Sequence, residues 1–217
     1  LVHLLNICLQ FEISDEEIET VRAGMIKWVE DYERVLLPPN KNCNVPAPLA
    51  NKIAISLATR YSITVSAARK YIPTQLSQWG KVCRLEGGDT MHARDLVCLS
   101  EKDRDASYYT QLIDVNARHR NADPVYKPKD FYRQLRNIVV INLPISEELH
   151  LTEPSILILA VIQSLKVETA PDAAGALHYK HSPAGIGALE VVDLATIQCS
   201  IGRVLDRDLW VIVDRSG

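Results

Sequence analysis

Two stretches decide the fold: FYRQLRNIVVINL, residues 131–143, and ILILAVIQSL, residues 156–165. Both are rich in β-branched and aromatic side chains, which favour extended strands. Four further runs of the same kind lie at residues 108–115, 188–194, 197–205 and 209–214. Because these short strands follow one another without long helices between them, they predict an antiparallel sheet, folded as a small barrel or a sandwich-like module.

Upstream of these strands, the sequence predicts helices. Ser14-Asp15-Glu16-Glu17 is a capping box, in which the Ser14 hydroxyl accepts a hydrogen bond from the backbone of Glu17 and the Glu17 carboxylate reaches back. The apolar residues behind it recur at three- and four-residue spacing, which predicts an amphipathic helix over residues 15–36. With a shorter helix predicted over 2–10, residues 1–36 form a helical segment.

Residues 37–48 interrupt this pattern. They contain four of the eleven prolines and three asparagines, and they predict a joint without a regular element. Residues 49–76 then predict a basic helical hairpin, with helices over 48–60 and about 64–72. Thr64 or Ser62 caps the second helix, and Pro73 ends it. The predicted class is therefore α+β: a helical N-terminal part followed by an antiparallel β module over residues 77–217.

The charge of the chain is unevenly distributed. The formal net charge is −3, but residues 1–33 carry eight acidic side chains against two basic ones. Residues 34–85 carry eight lysines and arginines and no aspartate or glutamate, and the remainder is again acidic. This distribution excludes a uniformly basic nucleic-acid coat and a uniformly acidic solvating chain. It singles out one basic block, residues 34–85, which contains the predicted hairpin.

The basic block contains a sequence with the rhythm of a helix-turn-helix, LATRYSITVSAARKYI, at residues 57–72. In such a motif the second helix presents its polar side chains to a DNA groove or to the phosphates. The alternative is a structural hairpin with a solvated basic face, because the second helix is short and Ser62 stands where glycine is favoured. The candidate DNA-binding residues are Lys52, Arg60, Ser66, Arg69 and Lys70.

The sequence shows no signature of a catalytic or metal site. It lacks the G-x-S-x-G and H-E-x-x-H patterns, and Gly87-Gly88-Asp89 predicts a hairpin turn rather than a phosphate loop. His178 and His181 are candidate metal ligands together with Cys199, but the sequence places no fourth ligand, so neither a metal nor a cofactor is predicted. The five cysteines include no C-x-x-C pair, which is typical of thiols in the cytosol or nucleus. No apolar run reaches the ~18 residues of a membrane span.

Seven blocks of the sequence, taken in order, carry a family resemblance. They are FEISDEEIETVRAGMIKWVEDYERV (11–35), LANKIAISLATRYSIT (49–64), QWGKVCRLEGGDTMHARDLV (78–97), RDASYYTQLIDVNARHRN (104–121), FYRQLRNIVVINLP (131–144), EVVDLATIQCSIGRV (190–204) and LWVIVDRSG (209–217). Together they resemble transposase-type proteins of basidiomycete fungi, of the CACTA (En/Spm-like) class.

The resemblance implies a nuclear protein derived from a mobile element, with a cytoplasmic location as the alternative. Similar proteins carry their RNase H-like catalytic carboxylates upstream of this region. No residue here matches that block, so the resemblance transfers no catalytic residue. Similar proteins also have a longer segment between the first two blocks and continue beyond the last. The resemblance therefore implies a truncated chain with either an internal deletion or a gene-model joint near residues 36–40.

Two functions follow as expectations. The first is a non-catalytic accessory region of a CACTA-type transposase, contacting DNA through the basic helices at 49–72. The second is a β-barrel module that binds chromatin or another nuclear protein and makes no DNA contact. The strands FYRQLRNIVVI and LWVIVDRSG resemble the small barrels of bromo-adjacent homology domains, a likeness at the level of fold alone. A membrane partner is not expected.

Overall fold

The fold is seen in a computed structural model that describes residues 27–29, 34–84, 90–97, 106–114, 125–169 and 176–213. In these residues the helices are α1, Ala47–Tyr61, and α2, Val65–Ala68. The first six strands are β1 (Lys27–Val29), β2 (Arg34–Asn44), β3 (Gln75–Arg84), β4 (Thr90–His92), β5 (Ala106–Asp114) and β6 (Tyr126–Leu143). The other six are β7 (Ser155–Leu165), β8 (Glu168–Thr169), β9 (Leu177–Lys180), β10 (Ile186–Asp193), β11 (Ile197–Asp206) and β12 (Leu209–Val213). Within the same residues, no helix has the length and apolar character to cross a membrane.

The antiparallel pair β6–β7 forms the centre of the sheet. Its ladder joins residues 133–143 to residues 155–164. Residues 138–141 and 157–162 are buried without alternation. A continuous buried run means that both faces of a strand are covered, whereas alternation marks a strand with one wet face. The two stretches that decide the fold are therefore its middle layer.

One face of this middle layer packs against the helical hairpin. Val139 and Ile141 on β6 meet Leu49, Ile53 and Leu57, which recur along one side of α1. The opposite face packs against side chains from the surrounding strands. On that side the buried cluster contains Ile138, Val140, Ile158, Trp79, Met91 and Tyr109. The two clusters explain why β6 and β7 are apolar at consecutive positions.

The sheet stays open. β6 pairs with β7 along one edge and with β5 and then β3 along the other. From β5 the sheet continues through β11, β12 and β9 to β8, and from β3 it continues through β2 to β1. In the described residues no ladder joins β8 to β1, so the barrel is not closed. The prediction of an antiparallel, sandwich-like α+β fold is confirmed at this level, and the closed-barrel alternative is wrong.

The predicted helix over residues 15–36 is wrong wherever the structure describes it. Residues 27–29 form β1, and residues 34–36 begin β2, with which β1 pairs. β2 in turn pairs with β3 and buries Leu36 completely, so ladder hydrogen bonds and burial outweigh the helical spacing of the sequence. The capping box, the predicted helix over 2–10 and most of the 1–36 segment lie outside the described residues.

β2 also runs through much of the predicted joint at 37–48. It continues to Asn44 in spite of Pro38 and Pro39, because its register with β3 shifts between Leu37 and Asn40. At such a bulge residues drop out of the ladder, so the missing proline N–H groups cost no hydrogen bond. The prediction that residues 37–48 contain no regular element is therefore wrong for residues 37–44.

The helical hairpin follows the prediction closely. α1 ends at Tyr61, and the next residue, Ser62, caps it in the left-handed conformation with φ of 55°. Thr64 caps α2, because its side-chain oxygen accepts a hydrogen bond from the Ala67 N–H at 3.1 Å. The remainder of the predicted second helix is a 3-10 turn at Arg69–Tyr71, and the chain becomes extended at Ile72, directly before a proline.

Ile141 and Ile145 provide a matched test of this core. Ile141 is fully buried, whereas Ile145 is 63 % exposed. We expect Ile141→Ala to lower the free energy of unfolding by about 2–5 kcal/mol, since it loses buried apolar surface and leaves a cavity. Ile145→Ala should change it by less than about 0.5 kcal/mol. Urea unfolding measures both values, and equal losses for the two variants would contradict this core.

Candidate nucleic-acid interface

The cations predicted to contact DNA are carried by α1 and by the segment after α2. α1 buries Leu49, Ile53 and Leu57 against the sheet, which turns its remaining sides outward. The buried Ala67 and Ala68 anchor α2 beside it. The polar side chains of the hairpin therefore lie at the surface, and their partners decide what each can bind.

Arg60 is tied to the sheet. Its guanidinium forms an ion pair with Oδ2 of Asp193, the last residue of β10. The other oxygen of Asp193 accepts a hydrogen bond from the Ala195 N–H at 2.8 Å and so caps a 3-10 turn at Leu194–Thr196. One carboxylate thus links the end of α1 to the end of β10, across 133 residues of sequence.

Lys52 lies on the same side of α1 as Arg60. Both line a groove of about 440 Å³ between α1 and β10, which we call the α1–β10 groove. Glu190 and Asp193 also line it, and Ile55 is 48 % exposed there. Two cations face two carboxylates, so the groove has no formal excess of positive charge to attract a phosphate.

Arg69 lies on the other side of the hairpin. Its Nη2 donates a hydrogen bond to Oδ1 of Asn51 at 2.7 Å. Both residues line a second groove, of about 450 Å³, beside the start of α1. Because the amide of Asn51 is neutral, the hydrogen bond orients the guanidinium and leaves its charge in place. The sequence analysis missed Asn51, since no local pattern links residues 18 positions apart.

Lys70 and Ser66 complete this second surface. The Lys70 side chain is 70 % exposed, and its Nζ is 3.9 Å from Oε1 of Glu148, the outer limit of an ion pair. The Tyr71 hydroxyl donates to the same carboxylate at 2.8 Å, which holds Glu148 in place. An exposed ion pair at such a distance contributes little free energy, so a phosphate competes readily for Lys70. Ser66 is exposed on α2.

The structure therefore divides the five predicted residues into two groups. Lys52 and Arg60 lie in the charge-balanced α1–β10 groove. The other three, together with one residue that the sequence did not indicate, form what we call the Arg69 surface: Asn51, Ser66, Arg69 and Lys70. This surface supplies cations and hydrogen-bond donors, which is the chemistry that phosphate contacts use.

A separate, partly buried polar cluster centres on Arg133, whose side chain is 12 % exposed. Arg133 lies over the rings of Phe131 and Tyr109, 4.7 and 5.7 Å from their centroids. It is also 3.9 Å from Glu190, which accepts a hydrogen bond from Ser164. Burial raises the pKa of the Tyr109 phenol, and the charge of Arg133 partly offsets this effect. Tyr109 therefore stays protonated at neutral pH.

The candidate metal ligands His178, His181 and Cys199 are not grouped into a metal site in the described residues. Across the described ranges, no group of three or more histidine, cysteine, aspartate or glutamate side chains is placed to hold a metal ion. Nδ1 of His181 instead accepts a hydrogen bond from the indole N–H of Trp210. That contact occupies a lone pair that a metal would need.

We expect the interaction between Arg60 and Asp193 to contribute little to the free energy of unfolding. The Arg60 side chain is 45 % exposed, so water and salt screen the interaction. A double-mutant cycle with Arg60→Ala and Asp193→Asn, followed by urea unfolding, should give a coupling energy below about 1 kcal/mol. Asparagine keeps an oxygen to cap Ala195, so the cycle isolates the charge. A coupling above about 3 kcal/mol would mean that the pair is desolvated, contrary to this geometry.

Neither a protein-family model, nor a curated protein, nor a solved structure matches this chain. The comparisons therefore place it in no family.

Proposed function

We propose that this chain is a non-catalytic DNA-binding module derived from a CACTA-type transposase, and that the Arg69 surface contacts DNA phosphates. The observation that carries the DNA contact is the hydrogen bond between Arg69 and Asn51. It holds an exposed guanidinium in a fixed orientation through an uncharged partner, directly beside Lys70. A positioned guanidinium is well suited to phosphate, because its N–H fork matches two phosphate oxygens.

The charge of the surrounding chain supports this proposal. Residues 34–85 include α1, α2, β2 and β3 and contain no aspartate or glutamate. Lys41 is a further exposed cation of this block, on β2. Contacts between cations and phosphates release counterions from DNA and supply most of the sequence-independent binding free energy. No carboxylate of the block itself offsets that gain, and the acid beside Lys70, Glu148, comes from a later part of the chain.

The dimensions of α2 favour contact with the DNA backbone over reading of bases. α2 has four residues, which span only about 6 Å at a helical rise of 1.5 Å per residue. A recognition helix needs several exposed turns to lie in the major groove. We therefore expect low sequence specificity, since phosphate contacts position a protein without reading the sequence.

The mobile-element origin rests on the seven blocks that resemble CACTA-type transposases. Under this proposal the chain is an accessory part that acts in the nucleus, with catalysis supplied elsewhere. Incubation of the purified chain with duplex DNA and Mg²⁺ or Mn²⁺ should leave the strands intact. Strand cleavage that depends on the divalent ion would contradict the non-catalytic assignment.

A second candidate function is a protein-interaction module, at chromatin or elsewhere, that makes no DNA contact. Val204 is 58 % exposed and Val213 is 42 % exposed. The register of β11 with β12 puts Val204 opposite Val211, and Val213 opposite Gly202, so both side chains lie on one face. Exposed apolar side chains that share a face are typical of surfaces that bind another protein.

Binding to labelled duplex DNA at several salt concentrations separates the two functions. We expect the affinity of the full chain to fall steeply as salt rises. Arg69→Ala combined with Lys70→Ala should weaken binding by about tenfold or more and reduce the slope of log K against log salt by about 2. Fluorescence anisotropy measures both quantities.

Two control variants each remove the same amount of positive charge from another part of the surface. Lys127→Ala with Lys166→Ala removes two exposed cations from the β module, and Lys52→Ala with Arg60→Ala removes two from the α1–β10 groove. Both should retain most of the affinity. Unchanged binding in the Arg69/Lys70 variant would remove the Arg69 surface from the proposal. An absence of DNA binding at low salt would favour the protein-interaction module.

A further inference from the structure

One branch of the sheet ends at β10, beside α1. In the described residues β10 pairs with β7 and with no second strand, so its other edge is unpaired there. Alternate residues of an edge strand turn their backbone N–H and C=O groups away from the ladder. β10 therefore offers hydrogen-bonding groups to a further strand.

The α1–β10 groove follows this edge. Its β10 wall consists of five consecutive residues, Leu189–Asp193. Successive side chains of a strand point to opposite faces, so a wall that includes every residue runs along the edge of the strand and not over one face. The opposite wall is one side of α1, from Lys52 to Arg60.

The two walls of the groove have similar lengths. Lys52 and Arg60 are separated by about 12 Å along α1, at the rise of an α-helix. Leu189 and Asp193 are separated by about 13 Å along β10, at the rise of a strand. The groove, with a volume of about 440 Å³, therefore has the length of about four extended residues.

β10 is a regular template over this length. Its register with β7 shifts between Ile186 and Leu189, and from Leu189 to Asp193 every residue has a direct partner in β7. Residues 159–162 of β7 are buried, whereas Leu189–Asp193 are all half-buried. Apolar side chains that their neighbours cover only in part gain free energy when another strand covers them.

The side chains of β10 divide between the two clusters of the core. Leu189 and Val191 pack with the cluster that contains α1, and Val192 packs with the opposite cluster. An added strand continues this alternation, because directly paired residues share a face. Every second side chain of the added strand therefore faces α1, where the exposed Ile55 offers an apolar surface.

The charges of the groove balance in number but differ in their contacts. Asp193 forms an ion pair with Arg60, and Glu190 accepts a hydrogen bond from Ser164 on β7. Lys52 forms no ion pair with any residue that the structure describes. A carboxylate on the added strand is the complementary partner for this lysine.

We propose that the α1–β10 groove binds an extended peptide segment of a partner protein, which adds to β10 as a further strand. The segment carries an apolar side chain that covers Ile55 and, two residues away, an aspartate or glutamate that pairs with Lys52. Residues two apart on a strand are about 7 Å from each other, and Lys52 lies about 5 Å from Ile55 along α1, so one segment reaches both. Main-chain hydrogen bonds to β10 supply affinity, and the two side chains supply specificity.

This site is distinct from those of the proposed function. Neither the cations of the Arg69 surface nor the exposed Val204 and Val213 line the groove. The proposal therefore does not depend on whether the chain binds DNA.

A display library of random peptides, selected against the full chain, supplies the probe. We expect the enriched peptides to share an apolar and an acidic residue two positions apart. Replacing the acidic residue by lysine in a synthetic copy should weaken binding by about tenfold or more, as measured by fluorescence anisotropy. In Lys52→Glu the preference should reverse, so that the lysine peptide binds more tightly than the acidic one.

Ile55 and Ile145 provide matched variants for the groove. Ile55→Asp places a carboxylate against the apolar side chain of the peptide and should weaken binding by about tenfold or more. Ile145→Asp makes the same change at an exposed isoleucine that does not line the groove, and should leave the affinity unchanged. Both side chains are exposed, so both variants should stay folded, which circular dichroism checks.

Hydrogen exchange shows whether the bound peptide joins the sheet. With peptide bound, amides at alternate positions of Leu189–Val192 should exchange more slowly, because their N–H groups then donate to the added strand. Amides at the positions between them already donate to β7 and should change less.

Four results would overturn the proposal. The first is a selection that yields no peptide whose binding Ile55→Asp weakens more than Ile145→Asp does. The second is a bound peptide that leaves the exchange of the β10 amides unchanged. The third is a preference for acidic peptides that persists in Lys52→Glu. The fourth is a dimer of the free chain, seen by sedimentation, that Ile55→Asp dissociates, since a second copy would then occupy the edge.

Discussion

The antiparallel pairing of β6 with β7 is the interaction on which the rest of the structure depends. It joins residues 133–143 to residues 155–164, and its centre is buried on both faces. One face provides the surface that α1 packs on, and the other is covered by side chains of the surrounding strands. Because β6 also pairs with β5 and β3, both arms of the sheet branch from this one ladder. Apolar burial here supports every element that carries a candidate site.

The placement of the charged residues follows from this core. α1 has to turn Leu49, Ile53 and Leu57 toward the sheet, which sends Lys52 and Arg60 to one side of the helix and Asn51 to the other. β10 lies on the first side and brings acidic residues with it, so the cations there are balanced. The Arg69 guanidinium donates a hydrogen bond to the neutral amide of Asn51, so its charge stays exposed. Packing thus decides which cations remain available to a phosphate.

The sequence predicted those features that depend on neighbours along the chain. Composition predicts the strands at 131–143 and 156–165, and the position of Thr64 directly before α2 predicts its role as a cap. The features that the sequence did not predict depend on pairing between residues far apart in the chain. The helical spacing near Leu36 gave way to the ladder with β3, and a bulge made room for Pro38 and Pro39. The walls of the α1–β10 groove come from segments far apart in the chain, so their meeting depends on packing, which composition does not encode.

Native-state hydrogen exchange tests the central claim most directly. If the β6–β7 ladder supports the fold, the amides of Val139–Ile141 and Ile158–Val161 should exchange only by global unfolding. Their opening free energy should then equal the free energy of unfolding from urea denaturation, and amides of α1 should open at lower cost. A lower opening free energy for the β6–β7 amides than for α1 would show that the helical hairpin stays folded without the ladder, and would contradict this account.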